Sequence, residues 1–126
     1  MKTTYTQINV PFYNEMIRAM FDCGKDRTSR FKKIGNVGDQ FALTHPETME
    51  QRWWMIDAIQ KHTLGEVAMH MYKKEGFISE EDFMRFWVKM HPTRVTPTHQ
   101  VFVHILKPVE NEHATPSKTG QQTLQE

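Results

Sequence analysis

The run HQVFVHIL, residues 99–106, constrains this chain most. Val101, Val103 and Ile105 recur at every second position, which places three β-branched side chains on one face of a strand. A strand of this kind needs neighbours, and the chain offers several. YTQINV from Tyr5 to Val10 alternates apolar and polar residues until Pro11 stops it. RTSRF has strand-forming chemistry, GNVG reads as a turn, DQFALTH as a further strand, and RWWMIDAI as a more buried one.

Helical spacing separates these strands. In FYNEMIRAMFDCG, Met16, Ile17, Met20 and Phe21 share a face, and Gly24 is a natural terminator. From Leu64 to Lys74, Leu64, Val67, Ala68 and Met71 form an apolar stripe that Gly76 closes. Ser79 is placed to cap a second late helix whose first turn holds Glu80, Glu81 and Asp82, and Ile78 is placed to staple onto Phe83. Phe83, Phe86, Trp87 and Met90 continue a core-facing stripe to Pro92. Strand, helix, several strands, two helices, strand is the order of an α+β domain, a small β-barrel or curved sheet flanked by helices. It does not suit a doubly wound parallel sheet. The domain is expected over residues 1–109. Residues 110–126 are almost free of apolar side chains and are expected to form a flexible polar tail.

Composition narrows the functions. A chain of 126 residues suits one domain that buries about two thirds of its unfolded surface. Its single cysteine allows no internal disulfide, and the chain does not open on a signal-peptide pattern, so a cytoplasmic protein is expected. No apolar run is long enough for a bilayer. The histidines make no metal signature: HExxH is absent, and His99 and His104 fall on opposite faces of their strand. Phosphate loops of the GxxxxGK[ST] type, GxGxxG turns and GxSxG elbows are absent too. Neither a metal nor another cofactor is expected, no obligatory protein partner is evident, and nucleotide triphosphatase, dehydrogenase and serine-hydrolase readings lose their main support.

The formal net charge is only +1, so contact with an anionic partner must be local. Between Arg18 and Lys33 lie six basic and two acidic side chains. Thr28 and Arg30 project from the same face of a strand, and Lys25 joins them only if the turn at Gly24 aims it inward. An ammonium can activate a hydroxyl and a guanidinium can hold an anionic oxygen, yet the same stretch also reads as a charged, solvated strand. Glu75 opposes the dipole of the helix it ends, which leaves it a weak local reason and makes it a candidate proton-transfer group; a solvent-facing glutamate among lysines is the plainer reading. Cys23 beside Lys25 reads as an activated thiolate or, more simply, as buried packing. Phe12, Tyr13 and one of Trp53 and Trp54 are candidates for stacking on a base.

VPFYNEMIRAMFDCGKDRTSRF, then VGDQF, then HTLGEVAMHMYKKEGFISEEDFMRFWVKMHP and finally HQVFVHIL together resemble an ASCH domain of the PUA-like superfamily, over nearly all of residues 5–107. The resemblance implies a small β-barrel with helices and a pocket for RNA, a nucleoside or a modified base. Its branch similar to bacterial acetylcytidine amidohydrolases implies a catalytic set of Lys25, Thr28 and Glu75, with Arg30 at the motif's arginine. Cys23 stands where the family has a glycine, Gly24 is displaced by one, and HPETMEQRWW lengthens the chain, as a loop expected near the pocket. Three functions follow as expectations. An RNA- or nucleoside-binding module would use Phe12, Arg27, Arg30, Lys32, Lys33 and Trp53; an amidohydrolase would deacylate acetylated cytidine through Lys25, Thr28 and Glu75; a ribonuclease would act on a phosphodiester in the same pocket.

Overall fold

The computed structural model describes residues 6–91 and 95–110, together with the backbone of residues 123 and 124. Five strands and three helices occupy the first two spans: β1 (Phe12–Tyr13), α1 (Asn14–Asp22), β2 (Arg27–Arg30), β3 (Gln40–Thr44), β4 (Gln51–Thr63), α2 (Leu64–Met71), α3 (Glu80–Met90) and β5 (Gln100–Val109). The main sheet is antiparallel, in the order β2-β5-β4-β3, and curls into a half-barrel with helices beside it. Its long central pair explains the curl. The β4–β5 register shifts between Ile56 and Ala58, leaving Asp57 as an extra residue, and a bulge of this kind bends and twists the strand that carries it.

The HQVFVHIL strand lies inside the sheet and is buried on both faces. Val101 and Val103 join Leu64, Val67, Ala68, Phe83 and Trp87 in a core beneath α2 and α3, whereas Leu106, of opposite parity, joins Val10, Phe12, Ile17, Met20, Phe41, Leu43, Trp54 and Ile56 on the other face. Each Val, Leu, Ile, Phe or Met side chain so taken from water contributes about 1.5–3 kcal/mol. The α+β expectation therefore holds. Residues 6–8 run beside β3 through a single bridge, Gln7 to Gln40, so YTQINV forms less of a strand than its alternation suggests.

Local signals set the helix ends. Ser79 Oγ accepts from the Asp82 N–H at 3.0 Å, as its position predicts. Thr63 and Glu66 form a reciprocal capping box at the start of α2. Ile78 does not staple: it is 86% exposed, and Phe77 instead meets Phe83 edge-on at 5.2 Å between centroids. Cys23 is exposed rather than packed, because the stripe of α1 that faces the core is Ile17, Ala19 and Met20. Pro92 and most of the expected tail, residues 111–122 and 125–126, lie outside the described residues. The backbone of Thr123 and Leu124 forms β6, parallel to β1. Among the described residues, no helix is long and apolar enough to cross a membrane.

Candidate functional site

β2 is an edge strand, and its outward backbone groups would face nothing without help from side chains. The Leu106 N–H bonds to Asp26 C=O, and Thr28 and Arg30 pair with His104 and Phe102 of β5. By alternation Arg27 and Ser29 turn their backbone groups to the open edge. Two charged side chains meet them there. Lys25 Nζ donates to Arg27 C=O at 2.7 Å, and the Ser29 N–H donates to Glu75 Oε1 at 3.2 Å.

The backbone explains how residues fifty positions apart arrive together. Gly24 adopts φ 73°, which turns the chain after α1 and aims Lys25 inward, the condition that its parity had set. Beyond α2 the chain makes a further helical turn that ends as a Schellman motif: Phe77 N–H to Tyr72 C=O and Gly76 N–H to Lys73 C=O, with Gly76 at φ 99°. Glu75 is the last residue before that glycine. The carbonyls left over at this helix end are taken by the Asp26 N–H, on Lys74 C=O, and by Lys25 Nζ, on Glu75 C=O. A cation is thus set at a helix C-terminus, where it is favoured.

The Glu75 carboxylate, 3% exposed, is held by Ser29 through both oxygens, Oε1 by the N–H and Oε2 by Oγ at 2.8 Å. Burial raises the carboxyl above its ordinary range, and the Lys25 charge and the two Ser29 hydrogen bonds oppose that rise. Lys25, 4% exposed, is pulled down to about 8, chiefly by burial, against the attraction of Glu75. Thr28 Oγ1 accepts from Arg30 Nε at 3.1 Å, and Arg30 also donates to Pro11 C=O and lies over the Phe12 ring at 5.1 Å. His104, fully buried behind β2, donates from Nδ1 to Thr28 C=O and accepts at Nε2 from the Ile34 N–H, which ties strand to loop.

Lys25, Thr28, Ser29, Arg30, Glu75, Pro11 and Phe12, but not His104, border one cavity of about 320 Å³, toward the small end of ligand sites, about 300–1,000 Å³. Lys25, Thr28, Ser29, Arg30 and Glu75 form its polar part, and Phe12, Tyr13, Phe31, Phe86, Trp87 and His91 its aromatic walls. The cavity therefore unites Lys25, Thr28, Glu75, Arg30 and Phe12. Others stand elsewhere. Arg27 pairs with Asp26, Lys32 and Lys33 are exposed on the loop after β2, and Trp53 is buried in the sheet, all outside the cavity lining. None of residues 45–50, the connection between β3 and β4, lines it either. Sequence reasoning missed Ser29, which lies beside Thr28 on β2 and lines the cavity with it. It also missed the ring cluster of Phe31, Trp87 and His91, in which Phe31 lies 5.0 Å from Trp87 and 4.8 Å from His91. Aromatic spacing on α3 was the one available signal, and it served equally well for core. Among the described residues, no group of three or more His, Cys, Asp and Glu side chains is placed to hold a metal ion.

No family model and no curated protein matches this sequence. Solved structures do match its backbone. The chain is similar to an ASCH domain from Lactobacillus crispatus (11% identity, TM-score 0.62, 82% of this chain and 80% of that one). It is similar to an ASCH protein from Zymomonas mobilis (13%, 0.57, 82% and 70%) and to a protein from Enterococcus faecalis (9%, 0.55, 86% and 78%). The first two of these neighbours are ASCH domains, and the half-barrel with flanking helices matches their fold.

Proposed function

We propose that the cavity binds one nucleoside, free or as an unstacked base of an RNA strand. The observation that carries this reading is the make-up of the cavity: room for one such ligand, aromatic rings on its walls, and donors and acceptors gathered at one end. Single-stranded RNA is read by stacking its splayed bases on rings and bonding their edges, which this lining suits. The lone Cys23 fits a reducing compartment such as the cytoplasm. Fluorescence titration with a panel of nucleosides and short single strands tests the proposal. Binding is expected to be weak and to fall with salt by about 0.7 log units per log unit of salt for each neutralised phosphate, few phosphates being reached. No binding of any nucleoside or strand at low salt would refute it.

The site has a second reading, favoured by the clustering of two buried, oppositely charged groups of shifted pKa with hydroxyls in a ligand-sized pocket. In this reading the protein is an amidohydrolase for acylated cytidine. A hydroxyl attacks the acyl carbon, Arg30 stabilises the negative charge that develops, and Glu75 passes a proton to the leaving amine. The resemblance to amidohydrolases gives the attacking hydroxyl to Thr28 and its activation to Lys25. Release of cytidine from acylated cytidines is the assay, and a panel left untouched defeats this second reading while leaving the binding module standing.

A further inference from the structure

Thr28 and Ser29 are adjacent hydroxyls on the cavity wall, but their hydrogen bonds run in opposite senses. Thr28 Oγ1 accepts from Arg30 Nε at 3.1 Å and is bonded to neither Lys25 nor Glu75. Lys25 Nζ is occupied by the carbonyls of Arg27 and Glu75. Ser29 Oγ, by contrast, donates to Glu75 Oε2 at 2.8 Å, and the Ser29 N–H fixes the other carboxylate oxygen at 3.2 Å. A weak nucleophile becomes effective when a base lies within hydrogen-bond reach and a third group orients that base. Ser29, Glu75 and the Ser29 backbone satisfy this geometry; Thr28 and Lys25 do not. Ser29 and Glu75 both line the cavity while being almost fully withdrawn from water, so the carboxylate is not levelled by solvent.

We propose that Ser29 is the nucleophile of this site and Glu75 its general base, an assignment that rests on the amidohydrolase reading above. Ser29 Oγ bonds to the acyl carbon of the substrate amide as its proton passes to Glu75 Oε2. The tetrahedral adduct then loses the amine, which takes that proton from Glu75, and an acyl ester remains on Ser29. Water attacks this ester, giving its proton to Glu75. The carboxylic acid leaves, and the proton returns to Ser29 Oγ. Amide and water are consumed, and acid and amine are formed. Thr28 keeps a positioning role, holding the Arg30 guanidinium toward the oxyanion.

The test is to find the acyl group. The protein is incubated with N4-acetylcytidine and, separately, with 4-nitrophenyl acetate, quenched in acid, and the acetylated residue located by fragmentation mass spectrometry. Acetyl on Ser29 is expected with both. It should vanish in Ser29→Ala, persist on residue 29 in Thr28→Val, return as a thioester in Ser29→Cys, and form about 100-fold or more slowly in Glu75→Gln. Circular dichroism and thermal midpoints establish that each variant folds. Acetyl on Thr28, or hydrolysis by Ser29→Ala at the parent rate, overturns the assignment and leaves the amidohydrolase reading intact. Acetyl on Ser29 from the ester with N4-acetylcytidine untouched overturns the cytidine substrate and supports Ser29 as nucleophile. Neither adduct nor hydrolysis with either probe overturns both.

Discussion

Replacing Lys25 by methionine keeps an unbranched stem in place and deletes only the charge and its donors. The ammonium serves the carbonyls of Arg27 and Glu75 and is the counter-charge of a carboxylate that is 3% exposed. Removing one partner of a buried pair leaves the other uncompensated and costs about 3–5 kcal/mol, a large part of the roughly 5–15 kcal/mol that stabilises a domain. Lys25→Met is therefore expected to lose at least about 3 kcal/mol at neutral pH. The double variant Lys25→Met with Glu75→Gln should lose less than the sum of the two single losses, because the second change removes the orphaned charge. The pH dependence gives an independent reading. Lys25 holds its proton to about 10.5 when unfolded but only to about 8 in the fold, so between these values the unfolded state binds more protons and the parent's stability rises with pH. At about 1.36 kcal/mol per pH unit the rise amounts to about 3 kcal/mol, and Lys25→Met should lack it. Urea unfolding at pH 7 and pH 10, followed through Trp53, Trp54 and Trp87, measures both effects. A single variant within about 1 kcal/mol of the parent at pH 7, or parallel pH profiles for the two proteins, would refute the reasoning.

Gly76→Ala forces a side chain into φ 99° and puts its Cβ 3.0 Å from Lys25 Cδ and 3.2 Å from Ala19 Cβ; a loss of about 1–2 kcal/mol or more is expected from thermal unfolding, with a matching fall in ligand affinity. His104 is held neutral, its pKa lowered mainly by burial, so the unfolded chain takes up a proton first as pH falls through about 6.5. Stability present above that value is lost below it, and His104→Gln should show a flatter urea-unfolding profile between pH 7 and 5. Arg30→Met removes the donors to Thr28 and Pro11 and the cation over Phe12, and should weaken nucleoside binding in a calorimetric titration about tenfold or more, equivalent to about 1.4 kcal/mol.

Much of the architecture was legible because the signals for it act over a few residues. The alternation of Val101 and Val103, the Ser79 cap and the glycines at 24 and 76 each set the backbone within a turn or two, and each does so in the folded chain. The failures have the opposite character. Whether Ile78 or Phe77 meets Phe83, and whether Cys23 is covered, depends on how the helices are oriented over the sheet, which no local spacing encodes. The same holds for Trp53 and Trp54, whose alternating directions are fixed by the strand but whose surroundings are fixed by the half-barrel, which covers both rings.

The site shows the division most clearly. By itself the sequence determined which groups are available: a lysine after a turning glycine, two hydroxyls and an arginine on a short strand, and a glutamate ending a helix against its dipole. Only the tertiary structure decided their partners. β2 lies at the edge of the sheet, its outward backbone groups must be satisfied across space, and the helix end that carries Glu75 is the element that meets them. Alternation along β2 separates Thr28 from Ser29, but it cannot say which of the two meets the carboxylate, because that depends on an element some fifty residues away. Strand and helix periods follow from backbone geometry within a few residues, whereas a pocket is a relation between segments that only packing brings together.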